Sequence, residues 1–290
     1  MRLLNLSLNL IPIRVHVWGG LGSQLFGCIV ARRISRLFPK RKTQLIFHTS
    51  GVTRRTLEVP PQLLSQFRIE IVDDFTESLS DTKNETSPAF AKVKLLITRF
   101  LAKFGVLSRL NTEVEFLNLR GFIFDVRGHY SLISLRTEEV VWVLTCLGLS
   151  EKQADNNSDV SLHYRLGDLL QISEKGPISD ERVNIVLRQV QGSTRLHIFS
   201  DSAEDEIAKR IDPTLRFLSL NVEQAHTLKV ISECMSCRVF IGTNSKISLW
   251  IAIFRQHLLV SGLTYMPKEL TNQLEHNLPN ADNQLNILYY

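Results

Sequence analysis

Arg165 lies in the segment HYRLGD of residues 163–168, whose residue types suit the binding of a phosphate group. An arginine keeps its charge and can grip a diphosphate through two parallel N–H donors. His163 can donate a hydrogen bond from a ring nitrogen, and Asp168 can cap the turn that follows. An arginine at the end of a strand can also serve only as an ion-pair partner, and that alternative stays open for Arg165.

Two later segments also place polar side chains directly after apolar runs. Asp201 follows the run at 195–199 and can accept hydrogen bonds from a base or a ribose, or cap the next helix. The segment GTNSKISLW at 242–250 begins a helix, and the first turn of a helix offers free N–H groups and a positive dipole end to a phosphate. The candidate binding residues there are Asn244, Ser245 and Ser248.

A glycine-rich turn near the start of the chain is a further candidate. Residues 19–24 read GGLGSQ, between a β-branched run and a helical pattern. The turn fits the first half of the dinucleotide fingerprint, but Leu25 stands at the third glycine position and no acidic residue follows the next strand. A dinucleotide site is therefore disfavoured, and a turn that serves only packing is the alternative. The candidate binding residues are Gly20, Gly22, Ser23 and Gln24.

The strands and helices that position these segments are predicted from apolar runs that alternate with helical patterns. In the first half, strands are predicted at 13–18, 44–48, 68–72 and 122–126, and helices at 24–38, 88–106 and 137–149. In the second half, strands are predicted at 159–164, 195–200, 215–220, 238–241 and 257–260, and helices at 180–191, 202–211, 222–236 and 244–255. This alternation predicts parallel sheets covered on both faces, which bind ligands at the carboxyl ends of their strands.

The length of 290 residues and this alternation predict two α/β domains of Rossmann type. The polar segment SEKQADNNS at 150–158 is the best linker in the sequence. We therefore place the N-terminal domain at residues 1–150 and the C-terminal domain at residues 151–290.

The composition is that of an ordinary globular protein, with 44% hydrophobic and 22% charged residues. It excludes a disordered chain, a collagen and a disulfide-stapled miniprotein. The net charge of +5 suits an anionic partner without identifying it. Cys234 and Cys237 form one C-x-x-C with no second pair of ligands at suitable spacing, so no metal site is predicted.

No stretch of the sequence has the roughly 20 apolar residues of a membrane span, which favours a cytoplasmic protein. Basic residues accompany helical patterns at 32–42 and 90–106, so peripheral contact with the inner membrane face is one interpretation. A helix that faces the core with solvated lysines is the other interpretation. Aromatic residues are not interleaved with these charges, so no nucleic-acid partner is predicted.

Together the four segments resemble the signatures of the bacterial α-1,2-fucosyltransferases, which form glycosyltransferase family 11. The family's G-G-L-G-N-Q-[ML]-F resembles residues 19–26, and its H-[IV]-R-R-G-D-Y resembles residues 163–169. Its acidic residue after an aromatic-rich strand corresponds to Asp201, and its N-S-[TS]-[FY]-S-W-W to residues 244–250. The order and spacing of these segments agree over residues 13–265.

The resemblance implies a GT-B-like fold, with two Rossmann-type domains and a cleft between them. It implies an inverting enzyme that moves L-fucose from GDP-fucose to a galactose-type hydroxyl of a surface glycan, with no cofactor and no obligatory metal. The GDP-sugar would bind to the C-terminal domain. The glycan acceptor, which could be linked to a lipid, would bind toward the N-terminal domain. Arg165 matches the arginine that neutralises the leaving diphosphate, and His163 and Asp201 match nucleotide contacts.

Inversion requires a group that accepts the proton of the acceptor hydroxyl. Asp168, Glu174 and Asp180 are the candidates. The chain departs from the family at Leu166, where a second arginine is usual, and at Lys246, where a small hydroxyl residue is usual. A transferase for another GDP-sugar or linkage, and a non-catalytic nucleotide-binding or glycan-binding protein, are therefore alternative functions. The sequence leaves the oligomeric state open.

Overall fold

A computed structural model describes residues 11–75, 107–109, 123–149, 160–171, 176–192, 194–278 and 286–290. For residues 107–109, 168 and 171 the description covers the backbone alone. The chain divides between Ile133 and Ser134 into two compact units. Each unit contains one parallel β-sheet with helices packed on it.

The first unit is an α/β layer built on a five-stranded sheet. Ile13, Val15 and Val17 alternate along the first strand and are fully or almost fully buried, as expected for a strand that packs one face under a helix. Its strands are β1 (Ile13–Val17), β2 (Thr43–His48), β3 (Arg68–Val72), β4 (Leu107–Arg109) and β5 (Asp125–Arg127), and its described helices are α1 (Leu21–Leu37) and α2 (Pro61–Leu64). The strand order is β3-β2-β1-β5-β4, with β1 paired parallel to both β2 and β5.

The close approach of α1 to β1 depends on a glycine that the fingerprint argument did not select. A Cβ atom built on Gly27 would lie 2.4 Å from the Cγ2 atom of Val17, so a side chain at this position would push the helix off the strand. Gly27, and not position 25, therefore fills the packing role of the third glycine in a strand–turn–helix unit.

The second unit is built on a six-stranded parallel sheet in the order β11-β10-β9-β6-β7-β8. The strands are β6 (Val160–Tyr164), β7 (Arg195–Ser200), β8 (Ser219–Glu223), β9 (Val239–Gly242), β10 (Leu263–Met266) and β11 (Ile287–Tyr289). The helices are α3 (Thr137–Cys146), α4 (Asp180–Val190), α5 (Glu204–Arg210), α6 (Thr227–Ser236), α7 (Lys246–His257) and α8 (Thr271–Asn277), with 3₁₀ turns at Gly167–Gln171 and Lys268–Leu270. All five residues of β6 are buried, because β6 lies between β7 and β9 and the helix α6 packs against it.

The helix α3 belongs to the second unit, although the sequence places it in the N-terminal domain. It packs against α7 and buries Val140, Val143 and Leu144. The division of the chain therefore comes earlier than residue 150, and the polar segment at 150–158 lies outside the described residues.

Two predicted strands are displaced in the structure. The stretch predicted at 215–220 places Leu215 and Phe217 against the core, and β8 begins only at Ser219, where pairing with β7 starts. The stretch predicted at 257–260 is the end of α7 and a turn in which Leu259 has a φ of +52° and is 76% exposed. The strand itself, β10, follows at Leu263 and pairs with β9. The apolar residues at 257–260 therefore did not distinguish the end of a helix from a strand at the level of the sequence.

The α/β class and the two Rossmann-type sheets predicted from the sequence are confirmed. The cleft between two domains stays a prediction. The helix predicted at 88–106 lies outside the described residues. Within the part of the chain that the structure describes, no helix is both long and apolar enough to cross a membrane.

Candidate functional site

The carboxyl edge of the second sheet brings three of the predicted segments together. His163 near the end of β6 is in register with Phe199 on β7 and with Gly242 on β9. The residues that follow these three neighbouring strands, among them Arg165 and Asp201, therefore meet at one edge, where parallel sheets bind their ligands.

Asp201 holds the arginine segment through three hydrogen-bond donors. Its Oδ2 atom lies 3.0 Å from the Nε atom of Arg165, and both side chains are about 29% exposed. Its Oδ1 atom accepts from the backbone N–H groups of Leu166 at 3.0 Å and Gly167 at 3.1 Å. The described contacts of Asp201 are thus with the protein itself, and they fix where the guanidinium of Arg165 lies.

Gly167 is required for this arrangement. A Cβ atom at position 167 would lie 2.1 Å from Oδ2 of Asp201, well inside the contact distance of any two atoms. The absence of a side chain at Gly167 therefore permits the close approach of the Asp201 carboxylate. We define Arg165, Gly167 and Asp201 as the arginine clasp.

A second group of hydrogen bonds joins β6 to the start of α7. The hydroxyl of Thr243 donates to the carbonyl of His163 at 2.8 Å and accepts from the N–H of Arg165 at 3.0 Å. The hydroxyl of Ser248 lies 2.8 Å from Nδ1 of His163 and accepts from the N–H of Thr243 at 3.1 Å. Thr243 and Ser248 are completely buried, so these bonds hold the two strand ends in a fixed geometry.

His163 is held in its neutral form. Burial lowers its pKa to about 4, and the nearby charge of Arg165 acts in the same direction. A neutral imidazole can accept the Ser248 hydroxyl hydrogen at Nδ1 while it carries its own hydrogen on Nε2. His163 therefore adds no charge to the site near neutral pH, and Arg165 provides the positive charge that the motif predicts.

The N-terminus of α7 lies at the same edge. Ser245 caps the helix, and its hydroxyl accepts from the N–H of Ile247 at 3.1 Å. The carbonyl of Gly242 accepts from the hydroxyl of Tyr290 at 2.8 Å, which ties β11 to the turn before the helix. Asn244 is half-buried in this turn. The sequence did not single out Thr243 or Tyr290, although Thr243 stands inside the predicted segment.

The substitution at Leu166 has a structural explanation. Its side chain is completely buried in the core of the second unit, together with Leu162 and Ile198. The position therefore faces the core in this chain. Lys246 opens α7 as its first residue.

Of the three candidate bases, the structure describes the side-chain contacts of Asp180 alone. Asp180 accepts a short hydrogen bond from the hydroxyl of Tyr164 and pairs with Arg210 at 3.2 Å, so its described contacts are structural. Glu174 and the side chain of Asp168 lie outside the description, although the backbone of Asp168 forms part of the 3₁₀ turn. Neither is assigned a role in the structure.

The glycine turn of the first unit connects β1 to α1. Gly20 is the N-cap of α1, while Gly22 and Ser23 belong to its first turn. Gln24 is buried and uses both ends of its amide: Nε2 donates to the carbonyls of Gly19 at 3.0 Å and Thr56 at 2.7 Å, and Oε1 accepts from the N–H of Glu58 at 2.9 Å. Its described contacts make Gln24 the residue that fastens the loop before α2 to the turn.

The same edge of the first sheet carries titratable residues that the sequence analysis missed. His16 on β1 and His48 at the end of β2 are hydrogen-bonded to each other, and Trp18 stacks on His48 with ring centroids 4.3 Å apart. The available signal was the alternation of polar Arg14 and His16 with buried apolar residues along β1. Their carboxylate partners lie far away in the chain, which sequence spacing does not show.

Of the two predicted basic segments, the one at 90–106 lies outside the described residues. In the segment at 32–42, Arg33 and Arg41 are buried, whereas Arg36, Lys40 and Lys42 are exposed. Cys234 and Cys237 are buried thiols whose pKa values are raised by burial. Among the residues that the structure describes, no group of three His, Cys, Asp or Glu side chains is arranged to hold a metal ion.

Comparison with known proteins gives structural similarity alone. No protein-family model matches the chain, and no curated protein matches its sequence. The chain is similar to the E. coli heptosyltransferase WaaC with ADP, at 9% identity and a TM-score of 0.41, covering 94% of this chain and 96% of that one. It is also similar to the α-1,6-fucosyltransferase NodZ soaked with GDP-fucose, at 11% identity and a TM-score of 0.40, covering 85% of this chain and 93% of that one.

Proposed function

We propose that the protein is an inverting glycosyltransferase that moves L-fucose from GDP-fucose to a galactose-type hydroxyl of a glycan. The observation that carries the proposal is the arginine clasp at the carboxyl edge of the second sheet. It holds the Arg165 guanidinium on Asp201, and the backbone N–H of Arg165 donates to Thr243 just before α7, at the edge where sheets of this kind bind nucleotides. The motif resemblance to the α-1,2-fucosyltransferases supports fucose and the galactose-type acceptor.

The arrangement suits a leaving diphosphate. Cleavage of the bond between the sugar and the diphosphate develops negative charge on the phosphate oxygens, and a preorganised cation stabilises that charge without reorganising during the reaction. Asp201 provides the preorganisation, because it holds the Nε side of Arg165 at 3.0 Å. In this proposal Arg165 and the N–H groups of α7 neutralise the diphosphate, and no metal ion is required.

The acceptor is proposed to bind on the side of the first unit. Such an acceptor presents a hydroxyl that attacks the anomeric carbon from the face opposite the diphosphate, which gives inversion. A lipid-linked glycan and a soluble glycan share this hydroxyl chemistry, and a panel with both kinds of acceptor separates them.

Replacement of Arg165 by alanine tests the proposal. We expect Arg165→Ala to lower the rate of GDP release from GDP-fucose in the presence of acceptor by about 100- to 1,000-fold, because one donor to the developing charge is lost. The matched control is Arg188→Ala, which removes a half-exposed arginine of the same unit that pairs with Asp212 at 2.6 Å. The control should keep the wild-type rate.

Two outcomes would contradict the proposal. Equal rates in wild type and Arg165→Ala would remove the assigned role of Arg165. Binding of GDP-fucose by wild type without transfer to any glycan of a broad acceptor panel would favour a non-catalytic binding protein. A panel of nucleotide-sugars in a thermal-shift assay identifies the donor, because a ligand that binds the native state raises Tm with its affinity.

A further inference from the structure

The charges of the chain are distributed unevenly along the sequence. The first 57 residues contain ten Lys or Arg residues and no Asp or Glu. All 29 acidic residues come later, together with the other 24 of the 34 basic residues. The small net charge of +5 therefore combines a strongly basic beginning with a mildly acidic remainder. Such an asymmetry indicates an anionic partner for the basic part of the chain.

The fold brings several of these charges to the amino edge of the first sheet, which is the edge where its parallel strands begin. Because β1 and β2 are parallel, the helix α1 between them must run back to this edge, and it ends there at Leu37. Most of the 17 residues of α1 are buried, so the helix packs into the unit and does not lie on a surface. Its exposed cations begin with Arg36 in the last turn.

Hydrogen bonds hold the turn after α1 against the beginning of β1. The N–H of Arg41 donates to the carbonyl of Phe38 at 2.9 Å, and the N–H of Ile13 donates to the carbonyl of Lys42 at 2.9 Å. The side chain of Arg41 is buried, and its Nε atom donates to the carbonyl of Ile11 at 3.2 Å. The turn and Ile11 therefore belong to one surface.

This surface combines exposed cations with exposed aliphatic side chains. Arg36, Lys40 and Lys42 are exposed, and between them and beside them Leu37 is 52% and Ile11 is 46% exposed. We call these five residues the basic patch. The segments that form it contain no acidic residue, since the first one in the chain is at position 58.

The other strand starts at this edge do not cancel the charge of the basic patch. The strand β3 begins with the exposed cation Arg68, next to the start of β2. The strand β5 begins with Asp125, and Oδ1 of this carboxylate lies 2.7 Å from Nε of Arg14, so the two charges balance. Among the described strand starts of the first sheet, the sum is therefore positive as well.

We propose that the basic patch binds the surface of an anionic lipid bilayer. Each Lys or Arg near such a surface raises the partition of a protein onto it by about fivefold, because the headgroup charge attracts it. Ile11 and Leu37 add to the binding when their side chains leave water for the interfacial region. An RNA partner would require aromatic rings for stacking, whereas the exposed apolar residues of the patch are aliphatic. The inference concerns the first unit alone and goes beyond the proposed function.

Co-sedimentation of the full-length protein with lipid vesicles measures this binding. The vesicles consist either of phosphatidylcholine alone or of phosphatidylcholine with about one third phosphatidylserine. We expect binding to the anionic vesicles alone, and a weaker partition when the salt concentration rises from about 0.05 M to about 0.5 M, because salt screens the charges. Equal binding to both kinds of vesicle, or binding to neither, would overturn the proposal.

A pair of double variants separates the basic patch from the overall charge. Lys40→Gln with Lys42→Gln should lower the partition onto anionic vesicles by about 25-fold, since two cations are lost. The matched control is Arg54→Gln with Arg127→Gln, which removes two exposed cations of the same unit that follow or end its strands at the opposite, carboxyl edge. The control should bind as wild type does. An equal loss in both double variants would show that only net charge matters, and the patch would be rejected.

The variant Leu37→Ser tests the aliphatic part of the patch at constant charge. We expect the partition to fall by about fivefold, with the salt dependence unchanged, because an exposed leucine no longer leaves water on binding. Its thermal stability should stay close to that of wild type, since the side chain is half exposed. An unchanged partition would overturn the contact between the aliphatic side chains and the bilayer.

A single-stranded RNA serves as the competing ligand. Binding of RNA that is lost in the double lysine variant and kept in the double arginine variant, without binding to vesicles, would assign the patch to a nucleic acid and overturn the lipid partner. None of these measurements uses fucosyl transfer. A failure of the lipid proposal therefore leaves the proposed function as it is, and a failure of the proposed function leaves the vesicle result as it is.

Discussion

The titratable side chains at the carboxyl edges of the two sheets differ in whether their hydrogen bonds are complete. At the second edge, Asp201 accepts hydrogen bonds from three donors, and burial keeps His163 neutral. The charge of His163, which lies near Arg165, therefore does not change around neutral pH. At the first edge, two histidines and two carboxylates share a line of contacts that is one hydrogen short. Similar parallel sheets thus provide one edge suited to holding a fixed positive charge and one suited to accepting a proton.

The largest expected effect on this comparison comes from Gly167→Ala. The new Cβ atom would lie 2.1 Å from Oδ2 of Asp201, so the carboxylate must turn away and release its three donors. We expect a loss of up to about 3 kcal/mol in the free energy of unfolding, together with weaker GDP binding. Urea denaturation measures the first quantity and calorimetry the second.

The control for this variant is Gly176→Ala, because a Cβ atom there meets no atom within 4 Å. Its stability should stay close to that of wild type. A Gly167→Ala protein as stable as the control would show that the arginine clasp is adaptable, and the contrast between the two edges would be lost.

A smaller effect is expected from the protonation of His163. Its pKa is about 4 in the native state, against an ordinary value of about 6.5 in the unfolded state. The unfolded state therefore binds more protons between pH 6.5 and 4, so stability is complete above this window and falls as the pH drops through it. Between pH 7 and 5 the loss should be about 2 kcal/mol.

The variant His163→Gln can keep a hydrogen bond to Ser248 but cannot titrate. Chemical denaturation at pH 7 and pH 5 should give it a smaller loss of stability than wild type, by that same amount. An identical pH dependence in the two proteins would show that His163 does not resist protonation, and the second edge would then resemble the first.

The smallest expected effect compares two buried threonines, one at each edge. Thr243→Val removes the hydroxyl between His163 and Arg165, and Thr49→Val removes the hydroxyl that donates to Asp73 and accepts from the N–H of Asp74 at 3.1 Å. Each change should cost about 1 kcal/mol of stability.

The two variants should differ in what else they change. Thr243→Val should weaken GDP binding and leave the lowered pKa of His48 as it is. Thr49→Val should alter the pKa of His48 through Asp74 and leave GDP binding as it is. If either variant changed both quantities, the two edges could not be treated as separate devices.

The sequence predicted the elements better than the contacts between them. Strand ends at 163–168 and 242–250 were identified because glycine, hydroxyl and charged residues follow apolar runs, and the structure places these segments side by side. The pairing of Asp201 with the backbone of Leu166 and Gly167 depends on the strand order, which spacing does not contain. The contact between His16 and Asp125 was missed for the same reason, since the two residues are 109 positions apart.

The packing of α3 on α7 decides how the second unit should be prepared as a fragment. A fragment that begins at residue 151, at the predicted linker, would lack α3 and uncover part of the apolar surface of α7. An exposed patch of this kind promotes aggregation. A fragment that begins at Ser134 retains the covering helix. In this chain the polar predicted linker is therefore a poorer place to cut than the point between Ile133 and Ser134 where the contacts divide.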